Sequence, residues 1–177
     1  MKKRGSSRRW IAEHENDKYV KIARERGLRS RAALKLEEID QRDRLFKPGQ
    51  VVVDLGAAPG GWSQIASKRV KPGGLVLATD ILPMDPITDV TFVQGDFTEP
   101  EIEAALLEQV GSATVDLVLS DMAPNLSGIK AVDEARSALL AELAVDSAGK
   151  LLKRGGGLLI KLFQGAGTDD ILRAIKC

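Results

Sequence analysis

Four short apolar runs in this chain end in or beside an aspartate: VVVDL at 51–55, LVLATD at 75–80, VTFVQGD at 90–96 and VDLVLSD at 115–121. Apolar runs this short, bounded by glycine, proline and acidic turns, read as buried strands. Strands are therefore expected over 51–55, 75–79, 90–93 and 115–120, with a fifth over 158–163. Helical patterns fall between them. They cover 62–70, 100–110 with Thr98 as its cap, and 133–152, where Leu139, Leu140, Leu143 and Leu151 recur; a last helix begins near Thr168. Strands alternating with helices predict an α/β fold, a mostly parallel sheet with helices on both faces. Ligands of such sheets sit at the carboxyl ends of the strands, where strand order reverses. The four acids, Asp54, Asp80, Asp96 and Asp121, are expected to line that one crevice.

Composition narrows the chemistry. The chain has 177 residues, enough for one domain with a substantial core. No apolar run approaches the ~20 residues of a membrane helix, and no apolar segment follows the basic start MKKRGSSRRW, so neither a membrane span nor a secretory signal is expected. Cys177 is the one cysteine, which excludes an internal disulfide and a cysteine-held metal; a reducing cytoplasm is the expected location. His14 is the one histidine and reads as a surface residue, so no histidine triad and no metal site is expected.

The net charge of +1 conceals an asymmetry. Residues 1–50 hold 15 Lys and Arg against 8 Asp and Glu, while the remainder is acidic by 6 charges. Two helical patterns occupy the basic region, at 10–24 and 30–40, before the turn Lys47-Pro48-Gly49. A basic arm on an acidic body suits a polyanion such as RNA, and charge alone equally suits a solvated tail. With aromatic residues at 4%, an extended base-stacking platform is not expected.

Two stretches carry candidate chemistry. In VVVDLGAAPGGWSQIA, residues 51–66, Gly56, Gly60 and Gly61 let the backbone turn sharply and approach a ligand. Ala58 and Pro59 stand where a dinucleotide loop needs glycine and free amides, so the turn suits a cofactor without a pyrophosphate, such as S-adenosylmethionine. Asp80 is placed to accept ribose hydroxyls, and Asp96 to accept from an adenine amino group. In GGGLLIKLFQG, residues 155–165, Lys161 interrupts an apolar run. Burying an unpaired ammonium is costly, so this lysine needs a partner or a task. Lys35, between Leu34 and Leu36, reads locally as a snorkelling surface lysine.

The motifs GLRSRAALKLEEI, VVDLGAAPGGWSQ, LPMDPI, QGDF, SDMAPNLSG, AVD and IKLFQG together resemble the FtsJ (RrmJ, RlmE) family of ribosomal RNA large-subunit methyltransferases. The resemblance runs from about residue 10 to the C-terminus. It implies a Rossmann-like methyltransferase fold and S-adenosylmethionine-dependent methylation of a uridine ribose 2′-hydroxyl in 23S ribosomal RNA, within the large ribosomal subunit. It further implies that Gly60 and Trp62 contact the cofactor, Asp80 its ribose, Asp96 its adenine, and Asp121 both cofactor and reaction. Lys35, Asp121 and Lys161 match three of the family's four catalytic residues. The fourth, a glutamate, has no counterpart before the chain ends at ILRAIKC, which reads as a C-terminal truncation with the last strands missing. Residues 1–50 are then an RNA-facing helical region of the same domain, and 51–177 the methyltransferase part.

Under this reading Lys161 is the general base, neutral part of the time, or a charged group that orients the hydroxyl. Arg24, Arg26, Arg29, Arg31 and Lys35 would hold the RNA backbone. A monomer is expected, with exposure of LLIKLF to self-association the specific risk. Two rivals stand beside it. A nicotinamide dehydrogenase needs a tighter glycine fingerprint and a relay histidine, and a non-catalytic RNA-binding or ribosome-assembly protein could retain the cofactor pocket.

Overall fold

A computed structural model describes residues 17–124, 127–163 and 168–176. Helix α1, Lys18–Glu25, starts at Asp17, whose carboxylate accepts from the Tyr19 amide at 2.8 Å. Its expected beginning at 10–16 lies outside the described residues, as do His14 and Cys177. Helix α2, Ala32–Asp43, runs three residues past its expected end.

The sheet follows. Strand β1, Val51–Leu55, is buried throughout, and β2, Leu75–Asp80, β3, Val90–Gln94, and β4, Val115–Ser120, lie within a residue of the expected bounds. Helix α3, Gly61–Arg69, links β1 to β2, and α4, Pro100–Val110, links β3 to β4. Thr98 does not cap α4. The cap position is Glu99, Pro100 opens the helix, and the Thr98 hydroxyl donates instead to Asp96 Oδ1 at 2.7 Å.

Helix α5 spans Lys130–Leu151 and starts three residues earlier than its apolar pattern suggests. Asp133 explains the difference. Its carboxylate accepts from the Ser127 amide at 2.7 Å, the Ser127 hydroxyl at 2.8 Å and the Gly128 amide at 3.1 Å, tying the entering chain to the first turn. Strand β5, Leu152–Ile160, begins directly from α5, well before the expected residue 158. The triple glycine is inside the strand rather than ahead of it. Val115 pairs with Leu152, yet Leu117 pairs with Gly157, so the ladder carries a bulge that Gly155, at φ 77°, accommodates. Helix α6, Thr168–Lys176, begins where expected.

All five strands are parallel, in the order β3-β2-β1-β4-β5. After β1 the chain steps outward to β2 and β3, then crosses back to β4 on the other side of β1. The reversal point is therefore between β1 and β4. One face of the sheet packs Val52, Leu117 and Leu119 against Ala23, Leu34, Leu36, Trp62 and Ile65 of α1, α2 and α3. The other packs Val53, Leu55 and Val118 against Leu106 of α4 and Ala148 of α5. Among the described residues no helix is long and apolar enough to cross a membrane.

Candidate active site

Strand parity decides which side chains meet. Side chains two apart share a face, so Asp54 follows Val52, Asp121 follows Leu119 and Lys161 follows Leu159 onto the face covered by α1, α2 and α3. There the sheet ends open into a cavity of about 930 Å³, lined by Asp54, Asp121 and Lys161 together with Arg24 of α1 and Lys35 of α2. That volume is near the top of the ~300–1,000 Å³ range of ligand pockets. Residues 35, 121 and 161, far apart in the chain, share one chamber.

Lys161 sits one residue past the end of β5 rather than inside it, though its amide still donates to Ser120 O at 2.9 Å and prolongs the ladder. Its ammonium pairs with the Asp121 carboxylate and donates to Asp121 O at 3.2 Å, and it lies 5.4 Å from the Phe163 ring centroid. The side chain is 38% exposed. The lysine in the apolar run is thus paired, and its tip faces the cavity. Lys35 is ion-paired at 3.2 Å with Glu38, one turn along the same exposed helix face.

Asp54 is the deepest of these groups, 1% exposed, and accepts a hydrogen bond from Ser63 Oγ at 2.6 Å. Burial pushes its carboxyl up to about 7, partly opposed by the Ser63 hydroxyl and reinforced by the negative charge of Asp121.

The glycine turn is built by close contacts. At Gly56, φ is 72° and a Cβ would stand 2.2 Å from Met122 Cγ, so the turn after β1 and the turn after β4 press together there. Gly60, at φ 97°, precedes α3; a Cβ there would meet Ile87 Cδ1 at 2.6 Å and Met84 Sδ at 2.8 Å. Its open side is covered by the β2–β3 connection. Trp62 lines the cavity and is buried, its indole Nε1 donating to Ala32 O at 3.0 Å, so the ring also docks α2 on α3.

The four strand-end acids do not all line this cavity. Among the described residues, Asp54 and Asp121 line the cavity, whereas Asp80 and Asp96 do not. Asp80 accepts the Ala58 amide on one oxygen and the Leu82 amide on the other, both at 2.8 Å, joining the turns after β1 and β2. Asp96 Oδ1 accepts the Thr98 amide at 2.9 Å. Each carboxylate is turned onto backbone donors that the flanking loops would otherwise leave unpaired.

The basic arm also differs from its sequence pattern. Arg26 pairs with Glu37 at 2.8 Å, and Arg31 pairs with Asp17. Such exposed pairs are worth ~0–1 kcal/mol and exchange readily for a phosphate. Arg29 is different, because its guanidinium is held by backbone carbonyls rather than by a carboxylate. No local pattern distinguishes it from its neighbours. Ser63 was likewise not legible, since its hydroxyl matters only because α3 lies over β1.

An all-parallel five-stranded sheet with this order, helices on both faces and a cavity at the β1–β4 reversal defines a Rossmann-like methyltransferase fold. The chain belongs to the FtsJ-like methyltransferase family, whose model matches residues 28–177. It is also similar to a solved structure from Plasmodium falciparum, named as a ribosomal RNA methyltransferase, at 29% identity and a TM-score of 0.77, over 84% of this chain and 85% of that one.

Proposed function

We propose that this protein transfers the methyl group of S-adenosylmethionine to a ribose 2′-hydroxyl of a uridine in 23S ribosomal RNA, within the large subunit. The observation that carries the reading is the convergence of Lys35, Asp121 and Lys161 on one cavity at the reversal point of a methyltransferase sheet. In this reading residues 1–50 form the RNA-facing part of the domain.

The residues present suit the cofactor. Asp80 uses one acceptor site of each oxygen on backbone amides, and a carboxylate has about four such sites, so capacity remains for two ribose hydroxyls. Asp96 has the same kind of spare capacity for the adenine amino group. Gly56, Gly60 and Trp62 shape the turn after β1, which Asp80 holds through the Ala58 amide, and Asp121 faces the cavity. When bound, the cofactor supplies an electrophilic methyl on a sulfonium. The chain's own residues orient the nucleophile. As the neutral amine, Lys161 accepts the proton of the 2′-hydroxyl, Asp121 holds that side chain in place through its carboxylate and carbonyl, and Lys35 steers the backbone of the target nucleotide. Most of the acceleration comes from holding the attacking oxygen in line.

The deciding experiment offers large ribosomal subunits and labelled cofactor to the wild type and to Lys161→Ala. Wild-type protein is expected to place label in alkali-resistant dinucleotides, the mark of a blocked 2′-oxygen. The variant is expected to lose transfer by a factor of ~100 or more while its cofactor affinity, read by calorimetry, is unchanged. Label on a base would refute the ribose assignment. Cofactor binding without any transfer by the wild type would make it a non-catalytic RNA-binding protein.

A further inference from the structure

The geometry points to Arg29 as a positioning residue for the cofactor side of the site, a clamp rather than a contact to RNA. Three segments meet at this side chain. Its guanidinium donates to Asp85 O at 2.6 Å, to Pro86 O at 2.6 Å and to Pro59 O at 3.3 Å. Its own backbone is anchored: the Arg29 amide donates to Gln64 Oε1 at 3.1 Å, and Gln64 Nε2 donates to Gly27 O at 2.9 Å, so the segment before α2 is pinned to α3 from both ends of one amide. The aliphatic stem passes over Gly60, with Cδ placed 3.3 Å from where a Cβ would be.

The three carbonyls belong to the turn before α3 and to the β2–β3 connection. Met84 and Ile87 of that connection cover Gly60, and Asp80 begins it. Among the described residues its other anchors are the Leu82 amide on Asp80, Gln94 Nε2 donating to Ile81 O at 3.2 Å, the Val90 amide on Ile87 O at 3.2 Å and the Lys71–Asp89 ion pair at its far end. Ile81 and Leu82 are more than half exposed, so burial does not hold this part of the chain. What fixes the wall beside Asp80 is a planar fork that reaches two adjacent carbonyls with one nitrogen each. A lysine presents a single point charge on a flexible stem and reproduces one of these bonds at a time. Arg29 is therefore bonded to backbone carbonyls of two other segments, unlike Arg26 and Arg31, whose partners are the carboxylates of Glu37 and Asp17.

This inference rests on the proposed methyltransferase reading for its link to the cofactor, and the test separates the two. Arg29→Lys, Arg29→Ala and, as control, Arg26→Ala are compared with the wild type. S-adenosylhomocysteine binding is read by calorimetry, affinity for in vitro transcribed 23S ribosomal RNA over a salt series, and hydrogen exchange at the Leu82 and Val90 amides without cofactor. Both Arg29 variants are expected to bind S-adenosylhomocysteine about tenfold more weakly. Turnover at saturating S-adenosylmethionine stays near wild type, because the wall is displaced and the reacting groups are not. In the Arg29 variants the two amides exchange several-fold faster and the salt slope of RNA binding is unchanged, whereas Arg26→Ala keeps wild-type S-adenosylhomocysteine affinity and exchange rates and lowers the salt slope by about one.

Unchanged exchange together with unchanged cofactor affinity would overturn the clamp. So would a salt slope reduced by about one in the Arg29 variants with cofactor affinity intact, the signature of a lost phosphate contact. A wild type that binds no S-adenosylhomocysteine would remove the methyltransferase reading, and the clamp would then stand or fall on the exchange rates.

Discussion

Asp54 is the side chain whose ionisation is most strongly coupled to the fold. Its carboxyl is pushed up to about 7 by burial, against an ordinary 3.8 in the unfolded chain. The native state therefore holds this proton more tightly than the unfolded state does. Stability from this group is greatest below about pH 4 and falls as pH rises through about 7, by on the order of a few kcal/mol. An amide in its place keeps an acceptor for Ser63 and has no charge to bury. Asp54→Asn is thus expected to gain stability over the wild type as pH rises from 5 to 8, read from urea midpoints at each pH. An advantage equal at both pH values would mean that the carboxyl is already ionised in the fold at pH 5. Lys161 shows the opposite outcome for a charge in an apolar sequence. Burial is avoided by its place just past the strand end, and the charge is matched by Asp121.

At the scale of elements, the start of α5 holds the residues just ahead of it, Ser127 and Gly128. Asp133 gathers three donors from Ser127 and Gly128, and the amide bonds hold its carboxyl below the usual carboxylate range. A depressed value contributes stability above the unfolded 3.8 that is lost as pH falls through the folded value. Asp133→Ala is expected to speed hydrogen exchange at the Ser127 and Gly128 amides by roughly tenfold and to lower methyl transfer. Exchange at the wild-type rate would show that these residues are held by other contacts. Strand and helix types were legible at this scale because both periods are local, and β1, α4 and β4 fell where their patterns end. The start of β5 was not, because glycines at 155–157 read as a boundary. In the fold Gly155 and Gly156 lie in a bulge and Gly157 pairs with Leu117, an arrangement that needs β4 alongside before it has any meaning.

For the whole molecule, the charge asymmetry joins a basic N-terminal region to an acidic body. The ion pairs Arg26–Glu37, Arg31–Asp17 and Lys35–Glu38 lie on the exposed side of that region, and each can release its cation to a phosphate. Binding of ribosomal RNA is therefore expected to weaken steeply with salt, by roughly 0.9 in log affinity per log unit of salt for each phosphate neutralised. An affinity flat from low to high salt would contradict the electrostatic reading of this face.

What the sequence determined by itself is whatever a window of about ten residues can encode: which runs are strands, where glycine must turn the chain, and that the side chains of Asp54, Asp121 and Lys161 follow core residues at a spacing of two. The tertiary structure alone decided which strands are neighbours, that Asp80 and Asp96 turn onto backbone amides, and that Arg29 leaves its arginine-rich surroundings to bind carbonyls 30, 56 and 57 positions away. A hydrogen-bonding side chain is drawn to whichever unpaired group the folded backbone brings near it. That choice does not exist until distant segments have packed.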